Sequence, residues 1–190
     1  MSKGPHKADS KLNILLVHVW FWPHIGGGNQ HVEHIGKELV KRGHKVTVWC
    51  ADVPKHDEKE FQRGGINVVR FSPKRVLGGV DPVVSTNHLS IDEFDLIHLH
   101  DTLPTLIRQV LKRAKKQNKP IVTTYHNDYI KHGFIANLIK KIRWAMQGRK
   151  TLHSSNGRIV LTPFFEKLLK EKGVKGDIDI IPNGFVPILE

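Results

Sequence analysis

The sequence predicts an α/β protein with a Rossmann-like, doubly wound and mainly parallel sheet that carries helices on both faces. Short apolar runs rich in β-branched residues alternate with longer segments of helical period, which is the pattern of repeated βαβ units. The 190 residues show no internal repeat, and their 39% apolar content with 16 glycines is ordinary for a globular chain. Disorder and collagen-like structure are therefore excluded, and one doubly wound sheet is the simplest arrangement.

Each predicted element follows from its local pattern. The apolar runs predict seven strands, at residues 13–19, 45–50, 67–71, 95–99, 120–124, 158–161 and 177–181. Helical periodicity predicts four helices, at about 29–42, 104–117, 133–147 and 163–172, and glycine follows the first and the last of them as a stop signal. Residues 72–93 fit neither pattern, and we expect a long loop there of the kind that is often functional.

Charge and cysteine content limit the partners and the compartment. The chain has 30 Lys and Arg against 18 Asp and Glu, a net charge of +12, which favours an anionic partner such as a phosphorylated substrate, lipid headgroups or nucleic acid. The single cysteine, Cys50, allows no internal disulfide and indicates a reducing, cytoplasmic compartment. The apolar run at 12–22 is too short to cross a bilayer, so we expect any membrane contact, such as one on the inner membrane face, to be peripheral.

The positive charge is concentrated in one part of the chain. Residues 131–175 hold eleven Lys and Arg against two Glu, which is +9 of the +12. A helical wheel places Ile135, Leu138, Ile139, Ile142 and Met146 on a face that would pack inward, with Gln147 on the opposite, polar face. That polar face suggests an anion or membrane patch made of Lys140, Lys141, Arg143, Trp144, Arg149 and Lys150. The alternative is a solvated helix face with Trp144 packed on a loop or on another domain.

A run of three glycines, Gly26, Gly27 and Gly28, lies between the first strand and the first helix. Glycines at the positive end of a helix dipole let backbone N–H groups approach a phosphate closely. Their spacing matches neither the dinucleotide fingerprint nor a nucleotide-hydrolysing P-loop. We therefore predict that this loop binds a phosphate, such as that of a phosphorylated donor substrate, with a simple tight turn as the alternative.

Four segments of the chain carry a family resemblance, namely FWPHIGGGNQHVEHIGKELVKRGHKVTVWCAD at 21–52, DLIHLHD at 95–101, KPIVTTYHND at 119–128 and IDIIPNG at 178–184. In this order they resemble family 4 glycosyltransferases with the GT-B fold. The resemblance implies a retaining, hexosyltransferase-type transfer of a sugar from a nucleotide-sugar donor to a hydroxyl acceptor, lipid-linked or phosphorylated. It also implies that no metal or other cofactor is required, and that the reaction takes place in a cleft between two Rossmann-like domains.

The resemblance divides the chain into a tail at 1–11, an N-terminal acceptor-side domain at 12–184 and the start of an interdomain linker at 185–190. In the family a second domain follows, which holds most of the nucleotide site, and we expect the present chain to be inactive without it. That domain would be either a removed part or a separate chain. The aspartate that commonly follows Asn-Gly in the family is missing after Asn183 and Gly184.

The resemblance and the strand ends together suggest individual site residues. His126 matches the family histidine that reaches the donor sugar and the reacting centre, although a histidine that caps the following turn is the alternative. Asn127 and Asp128, which follow it, either bind sugar hydroxyls or form an Asx turn. The resemblance places further residues in the acceptor side of the cleft, and the full acceptor set is His100, Asp101, Asn127, Asp128 and Asn183.

His98 and His100 are two apart on a strand and are expected to share a face, with Asp101 beyond them. Two imidazoles and a carboxylate are metal ligands, but nothing in the sequence fixes a third ligand, so no metal site is predicted. His18 is expected to be a core or supporting residue, and the other histidines are expected on the surface.

Two rival functions remain at this point. One is a basic nucleic-acid-binding α/β module, favoured by the pI of about 9.9, although no zinc-finger, RRM or basic-zipper signature is present. The other is the N-terminal half of a nucleotide-sugar epimerase of the GT-B fold.

Overall fold

A computed structural model describes residues 10–77, 81–126, 138 and 141–184 of the chain. The predicted site residues Asn127 and Asp128, the patch residue Lys140 and the linker at 185–190 lie outside the described residues. Nearly all of the predicted tail at 1–11 does so as well.

The structure confirms the predicted fold class, because its centre is an eight-stranded and mostly parallel sheet. The strand order is β10-β9-β8-β7-β1-β2-β4-β3, and only β3 runs antiparallel to its neighbour. The strands are β1 (Asn13–Val17), β2 (Lys45–Ala51), β3 (Glu60–Arg63), β4 (Ile66–Phe71), β5 (Arg75–Leu77), β6 (Asp81–Val83), β7 (Leu96–His100), β8 (Ile121–Tyr125), β9 (Gly157–Val160) and β10 (Asp179–Ile180).

Three strands were not predicted. β3 is a half-exposed edge strand without an apolar run, and its signal was the Gly64–Gly65 pair, whose φ angles of 57° and 79° make the turn into β4. β5 and β6 pair as a small antiparallel sheet inside the segment that we expected to be a loop. Strands of three residues are too short for a periodicity argument to detect.

The helices are α1 (Gly27–Lys41), α2 (Thr105–Lys116), α3 (Arg149–His153) and α4 (Pro163–Glu171), and a π-helical segment, Trp144–Gly148, precedes α3. α1 begins two residues earlier than predicted, so that Gly27 and Gly28 are its first turn. Among the helices that the structure describes, none is long and apolar enough to cross a membrane.

Alternate side chains of β1 build two separate cores. Leu15 and Val17 pack with the apolar face of α2, whereas Ile14 and Leu16 pack with α1 on the other face of the sheet. α1 lies close to the sheet at Gly36, where an added Cβ would come within 2.6 Å of Ile66 Cδ1. The sheet is therefore covered on both sides, as a parallel sheet requires.

The predicted orientation of the third helical region is wrong. Its supposedly inward face is turned outward, with 47% of Leu138, 50% of Ile142 and 73% of Met146 exposed. The polar face packs instead, and Gln147 Nε2 donates to the carbonyls of residues 102, 103 and 104 at 3.2, 2.7 and 3.2 Å. We call the outward-facing residues Leu138, Ile142 and Met146 the apolar stripe.

Two residues of the predicted patch pack on the protein with this polar face. Arg143 Nη2 lies 2.9 Å from Oδ2 of the buried Asp81 and 2.9 Å from the Leu103 carbonyl. The ring of Trp144 contacts Tyr125 edge-on at a centroid distance of 5.7 Å, and Lys172 lies over it. Arg143 and Trp144 are thus partly buried, in agreement with the alternative of a packed Trp144, whereas Lys141, Arg149 and Lys150 are exposed. The anion or membrane patch stays a prediction.

Candidate functional site

Five histidines from four elements meet at the carboxyl edge of the sheet, where open α/β proteins bind their ligands. His18 follows β1, His98 and His100 end β7, and His126 follows β8. His31 joins them from the second turn of α1. We call these five residues the histidine cluster.

The triglycine loop reaches the histidine cluster through His18. A Cβ on Gly28 would lie 3.0 Å from His18 Nε2, whereas a Cβ on Gly27 would meet nothing within 4 Å. His18 Nδ1 is 2.9 Å from the carbonyl oxygen of His100, and its ring is 5.9 Å from that of His126. The structure thus places the start of α1, a helix without an acidic residue in its first turn, beside the predicted catalytic histidine.

His126 is partly exposed, as His31 is, and it contacts the buried rings of the cluster. Its Nε2 is 3.3 Å from His100 Nδ1, and its ring is 4.8 Å from that of His31. His98 and His100 share a face as predicted, with ring centroids 4.0 Å apart, and His98 Nε2 lies 2.8 Å from Thr124 Oγ1. His100 is fully buried, so its predicted acceptor contact stays a prediction, and this ring reaches the site through His126.

Burial keeps these imidazoles neutral. Loss of solvent, with a smaller contribution from neighbouring histidines, lowers the pKa of His98 and of His126 to about 3. Burial is also the largest cause that lowers the pKa of His18, His31 and His100 below the usual value. Neutral rings can offer both a hydrogen-bond donor and an acceptor to a sugar hydroxyl.

Asp101 follows His100 in a strained conformation. Its φ of 120° is in the region that non-glycine residues rarely adopt, and its Oδ1 accepts the backbone N–H of Thr102. Burial raises the pKa of this carboxyl to about 6, although the hydrogen bonds from residues 102 and 103 oppose the shift. Strain and a raised pKa at a strand end are typical of functional positions, and its predicted role in the cleft stays a prediction.

A groove of about 730 Å³ runs along α1 beside this edge. Gly27 and His31 line it on one side, and the segment 181–184 lines it on the other, including the predicted cleft residue Asn183. The side chain of Asn183 hydrogen-bonds the His31 ring. The last described residues therefore lie against the start of α1, next to the histidine cluster.

Sequence reasoning missed two residues that shape the site. His31 was expected on the surface, but it is half-buried against His100 and His126, and its spacing of one helical turn from Gly28 was the available signal. Arg70 lies on β4 with no exposed side-chain surface and pairs with Asp52 at 3.0 Å. It donates to the carbonyl of Trp22 at 2.6 Å and so holds the loop that leads into the glycines. Nothing in the strand pattern singled it out.

The contact between Gly28 and His18 predicts opposite effects for two neighbouring substitutions. Alanine is favoured over glycine within a helix by about 1 kcal/mol, so Gly27→Ala, whose methyl enters open space, should leave stability unchanged or raise it. Gly28→Ala forces its methyl against His18 and should be less stable than Gly27→Ala by about 1–2 kcal/mol. Urea unfolding of both variants measures the difference, and equal midpoints would contradict the placement of His18.

The neutral histidines predict that acid destabilises the fold. A histidine with a lowered folded pKa stabilises the protein above the unfolded value of about 6.5, and this stability is lost as the pH falls below it. With a folded pKa of about 3, His98 alone should remove about 2 kcal/mol between pH 7.5 and 5. The raised pKa of Asp101 acts in the opposite direction by about 1 kcal/mol over this range, less than the five histidines together.

Urea unfolding measured at pH 7.5, 6 and 5 tests this dependence. The exposed His88 offers a control, because His88→Gln should leave the slope against pH unchanged. A free energy of unfolding that is constant or rises toward pH 5 would show that the cluster is not neutral in the folded protein.

Comparison with known proteins identifies the family of the chain. The family model for glycosyltransferase family 4 matches residues 25–187. The chain is 28% identical over 128 residues to a phosphatidylinositol N-acetylglucosaminyltransferase subunit of Arabidopsis thaliana, in a match that covers 63% of this chain and 28% of that protein. It is 23% identical over 123 residues to the Homo sapiens protein of the same name, covering 60% of this chain and 25% of the relative.

A third relative is an uncharacterized 42.6 kDa protein in the cps region of Klebsiella pneumoniae, 24% identical over 145 residues, or 64% of this chain and 38% of that protein. The chain thus spans well under half the length of these relatives. The family match covers more than four fifths of the chain and includes the triglycine loop, the histidine cluster apart from His18, and Asn183. The protein belongs to glycosyltransferase family 4.

Proposed function

We propose that this chain is the acceptor-side half of a retaining glycosyltransferase that moves a hexosyl group from a nucleotide-sugar donor to a hydroxyl on a lipid-linked acceptor. One observation carries the proposal, namely that the glycine-rich start of α1 and the neutral His126 lie at the same sheet edge, joined by His18. An anion-binding helix end and an imidazole side by side suit the two parts of an activated sugar, its phosphates and its ring.

The glycines provide the phosphate contact in this proposal. Gly27 and Gly28 occupy the first turn of α1, where backbone N–H groups have no partner within the helix, and Gly26 precedes them as the N-cap. Such a helix end stabilises an anion by about 0.3–2 kcal/mol, whereas micromolar binding needs about 8 kcal/mol. The rest of the donor site must therefore come from a second domain, and the chain alone is expected to be inactive.

His126 provides the contact to the donor sugar. Its Nε2 faces His100, so we assign Nδ1 to the sugar hydroxyl or to the charge that develops at the reacting centre. We assign no covalent nucleophile and no metal to the transfer, in which the departing phosphate takes the proton of the acceptor hydroxyl on the same face of the sugar. Asn127 and Asp128 follow directly and would bind sugar hydroxyls, while Asp101 and Asn183 would face the acceptor.

The apolar stripe supports a membrane-bound acceptor. Leu138, Ile142 and Met146 repeat at a spacing of four residues, which places three exposed apolar side chains on one helix face. Exposed Lys141, Arg149 and Lys150 accompany them, and Lys or Arg near an anionic bilayer contributes about 1 kcal/mol each. The names of two relatives specify phosphatidylinositol as the acceptor, a membrane lipid with free hydroxyls. We therefore place the protein at an anionic membrane surface on the cytoplasmic side.

The transfer proposal is tested with the chain joined to its donor domain, using nucleotide-sugar donors and phosphatidylinositol in vesicles. His126→Asn removes the assigned sugar contact and should lower kcat by about 100-fold or more, because a preorganised contact to the developing charge contributes on this scale. The far-UV spectrum and the unfolding midpoint should stay close to those of the wild type. His88→Gln is the matched control and should retain activity.

Unchanged turnover of His126→Asn would remove this residue from the site. An assembled protein that transfers no sugar but binds oligonucleotides with a steep salt dependence would overturn the function itself.

The membrane proposal predicts binding of the present chain to vesicles that contain phosphatidylglycerol and much weaker binding to pure phosphatidylcholine. Met146→Glu places a charge on the apolar stripe and should weaken the binding by about tenfold or more, whereas Met146→Leu keeps the stripe apolar and should bind as the wild type does. Co-sedimentation with vesicles measures both. Equal binding of the two variants would show that the stripe does not enter the bilayer.

A further inference from the structure

Three members of the histidine cluster have the arrangement of metal ligands. His31, His100 and His126 each offer a ring nitrogen, and these three atoms lie within 4.8 Å of one another. They come from α1, β7 and the end of β8, so no two of them are neighbours in sequence. In the sequence, the residues considered as metal ligands were instead His98, His100 and Asp101. No metal site was predicted, because nothing there fixed the position of a third ligand.

One distance within the trio fits a shared ion as well as a hydrogen bond. His100 Nδ1 and His126 Nε2 are 3.3 Å apart, at the long end for a hydrogen bond. Two nitrogens bound to one tetrahedral zinc ion at about 2.0–2.1 Å each lie about 3.3–3.4 Å apart. The pair is thus already at the separation that zinc would impose.

Unpartnered nitrogens provide the second observation. Among the described residues, His31 Nε2 and His100 Nε2 are buried polar atoms without a hydrogen-bond partner. Buried polar atoms without a partner are rare, because each costs about 1–3 kcal/mol, and such an atom at a functional site calls for a missing ligand or ion. The unpartnered Nε2 of His31 thus belongs to a ring of the trio.

Neighbouring residues hold the three rings by contacts of the kind that orient histidine ligands at known metal sites. The side chain of Asn183 hydrogen-bonds the His31 ring. The ring of His98 stacks beside that of His100 and is fixed by Thr124, and His18 binds the His100 carbonyl. A partly exposed His126 leaves the outer side of the trio open to a water molecule as a fourth ligand.

We propose that His31, His100 and His126 bind one transition-metal ion of the zinc class. Three imidazoles are ligands that suit Zn²⁺ and Co²⁺, and they suit Mg²⁺ or Ca²⁺ poorly, since those ions prefer oxygen. The ion would connect α1 to the ends of β7 and β8 and fix the ring of His126, which is a structural role. It takes no part in the transfer step proposed above.

Cobalt is the direct probe of this site, because its visible absorption is strong in tetrahedral coordination and weak in water. The purified chain, stripped of metal with a chelator, should bind one Co²⁺ with a tetrahedral spectrum, and an equimolar amount of Zn²⁺ should displace it. Zn²⁺ should also raise the unfolding temperature, because it binds the folded state selectively, and Mg²⁺ should not.

Variants locate the ion. His31→Gln removes a half-buried ligand without opening the core and should weaken Zn²⁺ binding by about tenfold or more in a calorimetric titration, because three-ligand sites depend on every ligand. His34→Gln, on the exposed side of the same helix, is the matched control and should bind as the wild type does. Binding that is lost equally in both variants, or an octahedral cobalt spectrum, would overturn the proposal.

Absence of any stoichiometric Co²⁺ binding by the folded wild-type chain would overturn it as well. None of these measurements uses sugar transfer, so the metal site and the proposed function are tested independently.

Discussion

The close approach of the His18 ring to the first turn of α1 is the contact on which the site depends. The ring fits there because residue 28 has no side chain, and it is held from the other side by the His100 carbonyl. Charge matters as much as space, since an imidazolium beside the positive end of a helix would be repelled. Burial keeps the ring neutral, and the same effect lets five imidazoles share one edge of the sheet without mutual repulsion.

Much of this edge follows from the sequence, because it depends on rules that are local or common to all parallel sheets. The apolar runs give the strands, the alternation along β7 places His98 and His100 on one face, and the carboxyl ends of parallel strands meet. His31 and Arg70 follow from neither rule. Each acts across a long separation in sequence, His31 on two strand ends and Arg70 on the Trp22 carbonyl 48 residues away. The helical spacing from Gly28 indicates the face on which His31 lies, but the partners of both residues are set by the tertiary packing.

The third helical region shows where the rule that apolar faces pack inward fails. The three side chains of the apolar stripe are only partly buried, which costs about 1–2 kcal/mol each relative to full burial. Inward rotation of the stripe would instead leave the carbonyls of residues 102–104 and the carboxylate of Asp81 without Gln147 and Arg143. The Leu103 carbonyl would lose both of its side-chain donors, and the buried carboxylate of Asp81 would lose its cation. A lost acceptor contact costs about 1–3 kcal/mol, and more for a charge, which opposes the inward rotation. A helical wheel contains no information about those distant acceptors.

This inversion links the proposed membrane contact to the proposed chemistry. The carbonyls that hold Gln147 belong to the residues directly after His100 and the strained Asp101, so the helical segment that carries the apolar stripe is attached to the strand end that supports His126. A stripe inserted into the outer part of a bilayer would therefore hold the histidine cluster at a fixed distance from the lipid headgroups. An acceptor hydroxyl in such a headgroup needs no extraction from the membrane to reach the sugar, and the association entropy that a soluble acceptor would lose is already lost at the surface.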